Sequence, residues 1–194
     1  RGTAMHKFLE HHVLGTNIID LTPIGREARP MADKIIEVGL TPVDEYYGSE
    51  VMLHYPGLYA GATDLICSHN GMETVVDFKQ SNRPKKEEWI QDYYLQISAY
   101  AMAHDYVYGS QIKQGVIMIC TPDLYYQEFK IEGNQLRKCK HEFLKRLDMY
   151  NELQEKTTSE LLREGFNEEQ KEEKTTSEES QERLEPITSP MSDE

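Results

Sequence analysis

The spacing of apolar residues in the first part of the chain predicts two helices followed by an extended segment. Apolar side chains recur at helical spacing over residues 3–14, which indicates an amphipathic helix. A second helix is expected over residues 31–38, with Gly39 as its C-terminal cap. Residues 43–55 then favour an extended strand, and the Pro-Gly pair behind them marks a turn.

The rest of the chain alternates between strands and helices. The Asn70-Gly71 pair between two β-prone runs is typical of a tight hairpin turn. The expected elements are strands over 58–68 and 72–79, a helix over 87–108, strands over 112–120 and 124–131, and a helix over 132–153. This order predicts an α/β domain with a mixed central β-sheet flanked by helices.

The composition agrees with a folded domain and excludes several other classes of protein. Hydrophobic residues make up 38% of the 194 residues and charged residues 28%, with 12 Gly and 8 Pro. These values exclude collagen-like and fully disordered chains. No apolar run approaches the roughly 20 residues that span a bilayer, and the first ten residues lack the apolar core of a signal peptide. We therefore expect a soluble protein that has no membrane partner.

The cysteines indicate a reducing compartment. Cys67, Cys120 and Cys139 are odd in number and widely spaced, and no CxxC pair occurs. We expect free thiols and hence an intracellular protein, located in the cytoplasm, or in the host cytoplasm if it is phage-encoded; a mitochondrial location stays open. The same spacing predicts neither a zinc site nor an iron–sulfur cluster.

The net charge of −13 is concentrated towards the C-terminal end. Residues 151–194 contain 14 acidic and 5 basic side chains, and Glu, Lys, Thr and Ser dominate after residue 155. Such a segment buries too little apolar surface to offset its ordering entropy. We therefore predict a folded domain over residues 1–154 and a disordered acidic tail over residues 155–194. The tail is either a solvated extension or a segment that binds a partner or inhibits the domain itself.

Two aspartates stand at positions where strands rarely carry them. Asp64 lies in the strand over residues 58–68, and Asp77 ends a β-branched run in the next strand. The hairpin directs both carboxylates towards one point, and Lys79 shares a face with Asp77 because side chains alternate along a strand. Two carboxylates and an ammonium group suit Mg²⁺ or Mn²⁺ together with a phosphate. A structural Asp–Lys salt bridge at a strand end is the alternative.

Asp64 followed by Asp77-Phe78-Lys79 resembles the core motif of the PD-(D/E)XK nuclease superfamily. In particular, the chain resembles the RecB-type exonuclease branch, which includes the mitochondrial genome maintenance exonucleases and related phage exonucleases. Three further segments match that branch: Gly-Thr-Ala-Met-His at residues 2–6, Gly-x-x-Asp at residues 61–64, and Gln-x-x-x-Tyr at residues 96–100. The resemblance covers residues 2–150 and implies a restriction-endonuclease-like core.

The resemblance also implies a metal site and a set of catalytic residues. The implied ligands of Mg²⁺ or Mn²⁺ are His6, Asp64, Asp77 and the backbone carbonyl of Phe78. The implied catalytic residues are Asp64, Asp77, Lys79, Gln96 and Tyr100. Lys79 is expected to position or activate the attacking water, and Glu50 is a fainter candidate for an additional acidic contact. Without the surrounding motif, His6 would be interpreted as a surface histidine.

A basic loop and several aromatic residues follow Lys79 in the sequence. The expected DNA-binding residues are Arg83, Lys85, Lys86, Trp89 and Tyr93. Basic side chains combined with stacking rings bind unpaired strands without sequence preference, and Tyr94 and Tyr100 would add further rings. The alternative is that the rings belong to the core, since Tyr94, Ile97 and Ala101 also have helical spacing.

Together these features predict a metal-dependent DNA exonuclease that acts on single strands or strand ends in replication, recombination or repair. Two alternatives stay open. One is a catalytically silent member of the same fold that binds nucleic acid or a protein, against which the intact Asp–Asp–Lys set argues. The other is a structure-specific or RNA-directed endonuclease. A comparison of linear with circular single-stranded DNA would distinguish an exonuclease from an endonuclease.

Overall fold

A computed structural model describes residues 1–182, with side chains as far as Arg163. The internal contacts divide the chain into two units, with the division between Leu147 and Asp148. Every candidate site residue predicted from the sequence lies in the first unit.

A mixed five-stranded sheet forms the centre of the first unit. Its strands are β1 (Val43–Tyr55), β2 (Tyr59–His69), β3 (Met72–Gln80), β4 (Gln114–Cys120) and β5 (Tyr126–Glu132), in that spatial order. Strands β3 and β4 are parallel, and the other neighbouring pairs are antiparallel. A parallel pair needs a crossover connection, and a helix provides it here. The predicted α/β class with a mixed, helix-flanked sheet is confirmed.

Helices cover both faces of this sheet. The helices of the described residues are α1 (Gly2–Val13), α2 (Pro23–Lys34), α3 (Gln91–Tyr108) and α4 (Gly133–Glu182), with a π-helical turn at Ile35–Gly39 and a 3₁₀ turn at Glu87–Trp89. Leu65 of β2 packs in one buried cluster with Met5 of α1. Its neighbour Ile66 packs in a second cluster with Ile97 of α3. Because alternate strand residues point to opposite faces, α1 and α3 lie on opposite sides of the sheet.

The second helix begins earlier than the sequence predicted. Thr22 caps α2 by accepting a hydrogen bond from the Gly25 N–H at 3.0 Å, and Pro23 occupies the first helical position. This capping signal precedes the apolar stripe on which the prediction rested. Gly39 is not the C-terminal cap that was predicted: Leu40 is the cap, and Gly39 is the last residue of the π-helical turn. A Cβ at this position would lie 2.6 Å from the Tyr126 hydroxyl, so the glycine permits close packing instead.

Helix α4 continues to Glu182, although the sequence predicted its end at Leu153. Residues 155–182 of the predicted disordered tail are therefore helical in the structure, and residues 183–194 lie outside the described residues. Glu, Lys, Gln and Leu are strong helix formers, so a helix can extend through this segment without burying a face. Every side chain of residues 151–163 is exposed. The boundary between the domain and the tail stays a prediction.

The three cysteines are free thiols, as predicted. Cys67 and Cys120 are buried, and Cys139 is half-buried. Burial raises the pKa of the Cys67 thiol to about 12, which keeps it protonated and unreactive at neutral pH.

None of the helices in the described part of the chain is long and apolar enough to cross a membrane.

Candidate active site

The β2–β3 hairpin brings two aspartates to the point where its ladder ends. The Asn70-Gly71 turn has φ angles of 51° and 73°, the left-handed conformation that a tight hairpin turn requires. From this turn the ladder runs to the pair Leu65–Val76, and Asp64 and Asp77 are the next residues along the two strands. Both aspartates are thus positioned at the same end of the hairpin, as the sequence predicted.

Asp64 of β2 lies beside polar groups from α1 and β3. His6 Nε2 lies 3.2 Å from Asp64 Oδ2 and 2.8 Å from the backbone oxygen of Phe78. The Phe78 N–H donates to the same Asp64 oxygen at 2.6 Å. Helix α1 can deliver His6 here because the adjacent side chains of Met5 and Leu9 anchor the helix in the core. The structure therefore brings together three of the four residues that the resemblance implied as metal ligands.

The surroundings of His6 favour its protonated form. Its Nδ1 lies 2.9 Å from the backbone oxygen of Gly2, so both ring nitrogens face only acceptors. Burial by itself would lower the pKa of His6, but hydrogen bonding to Asp64 and the charge of that carboxylate outweigh burial and raise the pKa to about 9. His6 therefore carries a positive charge at the point where these oxygen atoms converge.

A second group of polar side chains, which we call the polar row, runs from β3 to α3. The polar row consists of Asp77, Lys79, Gln96 and Tyr100. Lys79 Nζ lies 2.7 Å from Asp77 Oδ2 and donates to Gln96 Oε1 at 3.1 Å. Gln96 Nε2 donates to the Tyr100 hydroxyl at 2.8 Å, because residues four apart share one face of a helix. The ammonium group of Lys79 is therefore held from both sides.

Burial controls the charge of Asp77, whose side chain is only 5% exposed. Burial raises the pKa of Asp77 to about 6, the Lys79 ammonium opposes this rise, and the charge of Asp64 adds to it. Among the described residues, none donates a well-aligned hydrogen bond to Asp77 Oδ2, so its short contact with Lys79 is an attraction between charges. A buried carboxylate oxygen that accepts no well-aligned hydrogen bond favours the binding of a further cation or donor.

Gly61 allows Tyr100 to approach the sheet closely. A Cβ at position 61 would lie 2.8 Å from Tyr100 Cε1, closer than real Cβ contacts occur. The glycine of the Gly-x-x-Asp segment therefore positions Tyr100 and, through its hydroxyl, Gln96. The sequence showed this glycine only as part of a motif, and its packing partner was not predicted.

The atoms around Asp64 suit a divalent cation. Neighbouring ligands of an octahedral Mg²⁺ with bonds of about 2.1 Å lie about 3 Å apart. His6 Nε2 lies 3.2 Å and 2.8 Å from its two oxygen neighbours, and the Asp77 oxygen that faces Lys79 has the same ligand chemistry. No three His, Cys, Asp or Glu side chains of the described residues form a metal cluster by themselves. A site here therefore needs the Phe78 carbonyl, the release of Asp77 from Lys79, and the loss of the proton from His6 Nε2, because only a neutral imidazole can bind a metal.

Two further carboxylates influence this site. Glu50 of β1 lies between two residues whose ladder partners flank Asp64, and it has a φ of 51°, which is rare for a residue other than glycine. Burial raises the pKa of Glu50, and the charges of Asp64 and, more weakly, Glu10 add to this rise. Glu10 was missed in the sequence, although it follows His6 by one helical turn and therefore shares its face of α1.

The basic loop, residues 82–86, connects β3 to the 3₁₀ turn before α3. Arg83 and Lys86 are exposed in it, while Lys85 is half-buried. The Lys85 N–H donates to Gln127 Oε1 at 2.7 Å, and Gln127 Nε2 donates to the Lys85 carbonyl at 2.9 Å. Gln127 of β5 thus fixes the middle of the loop. No feature of the sequence indicated this role.

The aromatic residues predicted to bind DNA are divided between surface and core. Trp89 is 59% exposed, and the ammonium of Lys86 lies 5.3 Å from its ring centroid. Tyr93 is half-buried, with Lys79 Nζ 5.0 Å from its ring centroid. Tyr94 is 1% exposed and belongs to the buried cluster of α3, so the core interpretation is correct for this ring.

Comparison with solved structures shows a shared fold. This chain and a proposed exonuclease from Eubacterium rectale superimpose with a TM-score of 0.53 at 13% identity, over 76% of this chain and 64% of that chain. The chain therefore spans less than two thirds of the length of that structure. An alkaline exonuclease from Laribacter hongkongensis aligns with a TM-score of 0.32 at 16% identity, over 82% of this chain and 85% of that chain.

At 13% identity, the likeness to the Eubacterium rectale structure shows the fold alone. No protein-family profile matches the chain, and no curated protein is significantly similar to it. The assignment of catalytic roles consequently rests on the residues and their geometry.

Proposed function

We propose that this protein is a metal-dependent deoxyribonuclease that degrades single-stranded DNA or strand ends, as an exonuclease in replication, recombination or repair. The observation that carries the proposal is the meeting of His6, Asp64 and the Phe78 carbonyl beside the Asp77–Lys79 pair. The exonuclease name of the Eubacterium rectale protein, whose fold is shared, supports the nuclease class.

His6, Asp64, Asp77 and the Phe78 carbonyl would hold Mg²⁺ or Mn²⁺, which are bound through oxygen and imidazole ligands. A bound ion of this kind lowers the pKa of a water molecule and polarises a phosphoryl oxygen. The buried position of Asp77 and the hydrogen bond from the Phe78 N–H to Asp64 keep these oxygens in place. The sheet thus orients Asp64 and the Phe78 carbonyl before any substrate binds, whereas Asp77 would exchange its contact with Lys79 for the metal.

Lys79 supplies a fixed positive charge next to these ligands. Asp77 raises the pKa of Lys79 although burial opposes this, so the ammonium remains charged at neutral pH. Because Gln96 accepts one of its hydrogens, the ammonium cannot rotate freely. A preorganised cation of this kind stabilises negative charge that develops on a phosphate and orients the attacking water.

Gln96 and Tyr100 act as positioning residues in this proposal. Gln96 holds Lys79 through its amide oxygen, and Tyr100 holds Gln96 through its hydroxyl. Arg83 and Lys86 of the basic loop, together with the exposed ring of Trp89, would contact the phosphates and bases of the incoming strand.

The test uses single-stranded DNA labelled at either end, compared with a circular strand of similar sequence, in Mg²⁺, Mn²⁺, Ca²⁺ or a chelator. We expect Mg²⁺ or Mn²⁺ to support stepwise loss from an end of the linear strand, and the circle to stay intact. Cleavage of the circle would show an endonuclease. Binding without cleavage in any metal would show the catalytically silent alternative.

A further inference from the structure

A cavity of about 420 Å³ opens beside the polar row, between α3, the start of β2 and the first part of α4. Residues of all three elements line it: Tyr59, Leu95, Gln96, Ala99, Tyr100 and Phe143. Its volume falls in the range of sites for small ligands. Gln96 and Tyr100 belong to both the cavity and the polar row, so an occupant of the cavity would lie next to the proposed chemistry.

The rings in the cavity are fixed in position. The Tyr59 hydroxyl donates to the Ala99 carbonyl at 2.8 Å. The rings of Tyr59 and Phe143 meet edge to face, with centroids 4.9 Å apart and an interplanar angle of 77°. Aromatic rings that are already ordered can stack on a flat ligand with little loss of side-chain entropy.

The charges at the rim of the cavity select an uncharged ligand. Arg146 is the cation there, and its guanidinium lies 2.8 Å from Asp92 Oδ1 and 3.6 Å from Glu142 Oε1. Because two carboxylates neutralise it, the rim offers a phosphate no excess of positive charge. Inside, the amide of Gln96 can still donate and accept a further hydrogen bond after its bonds to Lys79 and Tyr100.

We propose that this cavity binds one unpaired nucleobase of the strand that is cleaved. The inference rests on the proposed function, which places the scissile phosphate beside Lys79. Gln96 lines the cavity, and its amide oxygen accepts a hydrogen bond from Lys79 at 3.1 Å, so the lysine lies next to the cavity wall. A base in the cavity and the phosphate at Lys79 therefore belong to the same nucleotide or to adjacent ones. A base inside a duplex must first leave its stack, so the cavity favours single strands.

The test is a binding scan with fluorescent single-stranded oligodeoxynucleotides in Ca²⁺, each carrying one abasic residue at a different position. If one base fills the cavity, the wild-type protein loses affinity sharply when that base is missing and little when others are. We expect a loss of at least about 5-fold at that position, which corresponds to the lower end of base–aromatic stacking, ~1 kcal/mol.

Two variants and a control assign the effect to the cavity. Phe143→Ala removes a ring, and Ala99→Leu fills the space without removing any polar group. Both should bind the intact strand and the critical abasic strand equally. Tyr108→Ala removes an aromatic ring that is 59% exposed at the other end of α3, outside the cavity, and should retain the position-specific loss. Circular dichroism establishes that each variant is folded.

The outcomes separate this inference from the proposed function. If the wild-type protein shows no position-specific loss of affinity, the inference is overturned by that result alone. It is also overturned if both cavity variants retain the position-specific loss of affinity. Cleavage assays in Mg²⁺ run in parallel. Cleavage without a position-specific loss overturns the cavity proposal alone, whereas a position-specific loss without cleavage overturns the nuclease proposal alone. Failure to bind DNA at all overturns both.

Discussion

The polar row and the basic loop are both polar and lie close together in the sequence, but they are held by different means. The Asp77 side chain is 5% exposed and the Lys79 side chain 23%, and both lie on the central strand β3 where it is paired with β4. Arg83 and Lys86 are exposed, and the loop that carries them is tied to the sheet through Gln127.

This difference indicates a division of labour. Groups that stabilise a transition state must be held before the substrate arrives, because reorganising them would add to the barrier. Groups that attract a phosphate backbone act through charge and tolerate movement. We therefore expect changes in the polar row to affect turnover and changes in the basic loop to affect affinity.

The largest effect is expected for Asp77→Asn. The substitution keeps the shape of the side chain but removes the charge of a proposed metal ligand, which is worth several kcal/mol in the transition state. Turnover should therefore fall by about 10²–10³-fold in single-turnover assays with Mg²⁺. Asp148→Asn, which removes an exposed carboxylate, is the matched control and should be unaffected. Unchanged turnover in Asp77→Asn would contradict the proposed metal site.

Lys79→Ala should also lower turnover strongly, by about 10²-fold, because the charge acts on the reacting phosphate and its water. The dissociation constant for DNA, measured in Ca²⁺, should change little. Lys113→Ala removes the same charge from an exposed residue just before β4, at the opposite end of the β3–β4 pair, and serves as the control. A loss of affinity at unchanged turnover would place Lys79 with the basic loop.

Tyr100→Phe tests whether the polar row acts as a unit. The change removes the acceptor of the Gln96 hydrogen bond but leaves the ring that packs on Gly61. A lost hydrogen bond of ~1 kcal/mol should lower kcat by about 5-fold without altering KM. The effect should disappear when Gln96 has already been replaced by Ala. Equal effects in both backgrounds would show that Tyr100 acts independently of Gln96.

Arg83→Ala should weaken DNA binding by roughly 3-fold at physiological salt and reduce the dependence of log Kd on log salt by about one unit, because one phosphate contact is lost. Its turnover at saturating DNA should stay close to that of the wild-type protein. Fluorescence anisotropy over a salt series provides the measurement. A steeper fall in turnover than in affinity would remove the contrast between the two regions.

The smallest effect is expected from deletion of residues 156–194. The described side chains after residue 150 are exposed, so their removal uncovers no core. The fold and the cleavage step should be retained, while DNA affinity rises slightly at low salt because acidic residues no longer compete for the basic loop. Loss of cleavage or of folding would show that the predicted domain boundary at residue 154 is misplaced.

Much of the fold could be predicted because its local signals were strong. The Asn70-Gly71 turn and the period-two runs on both sides of it fixed the β2–β3 hairpin, and with it the approach of Asp64 to Asp77. Two helix boundaries were predicted wrongly. Helix α2 begins where Thr22 caps it, and helix α4 continues beyond Leu153 because its residues favour a helix without burying a face. Neither feature contributes to an apolar periodicity.

The candidate site also has properties that local sequence determines and properties that it does not. By itself the sequence determined the identities of the polar residues, their order, and which of them share a strand or a helix face. Those properties depend on residues a few positions apart, and they were enough to group Asp77 with Lys79 and Gln96 with Tyr100.

Only the tertiary structure decided which groups from distant segments touch. His6 meets Asp64 and Phe78 because α1 is anchored on one face of the sheet, and Gln96 meets Lys79 because α3 packs on the other. The contact of Gly61 with Tyr100 likewise depends on the distance between a helix and a strand. Such distances are set by the packing of the whole core, and no short stretch of sequence carries that information.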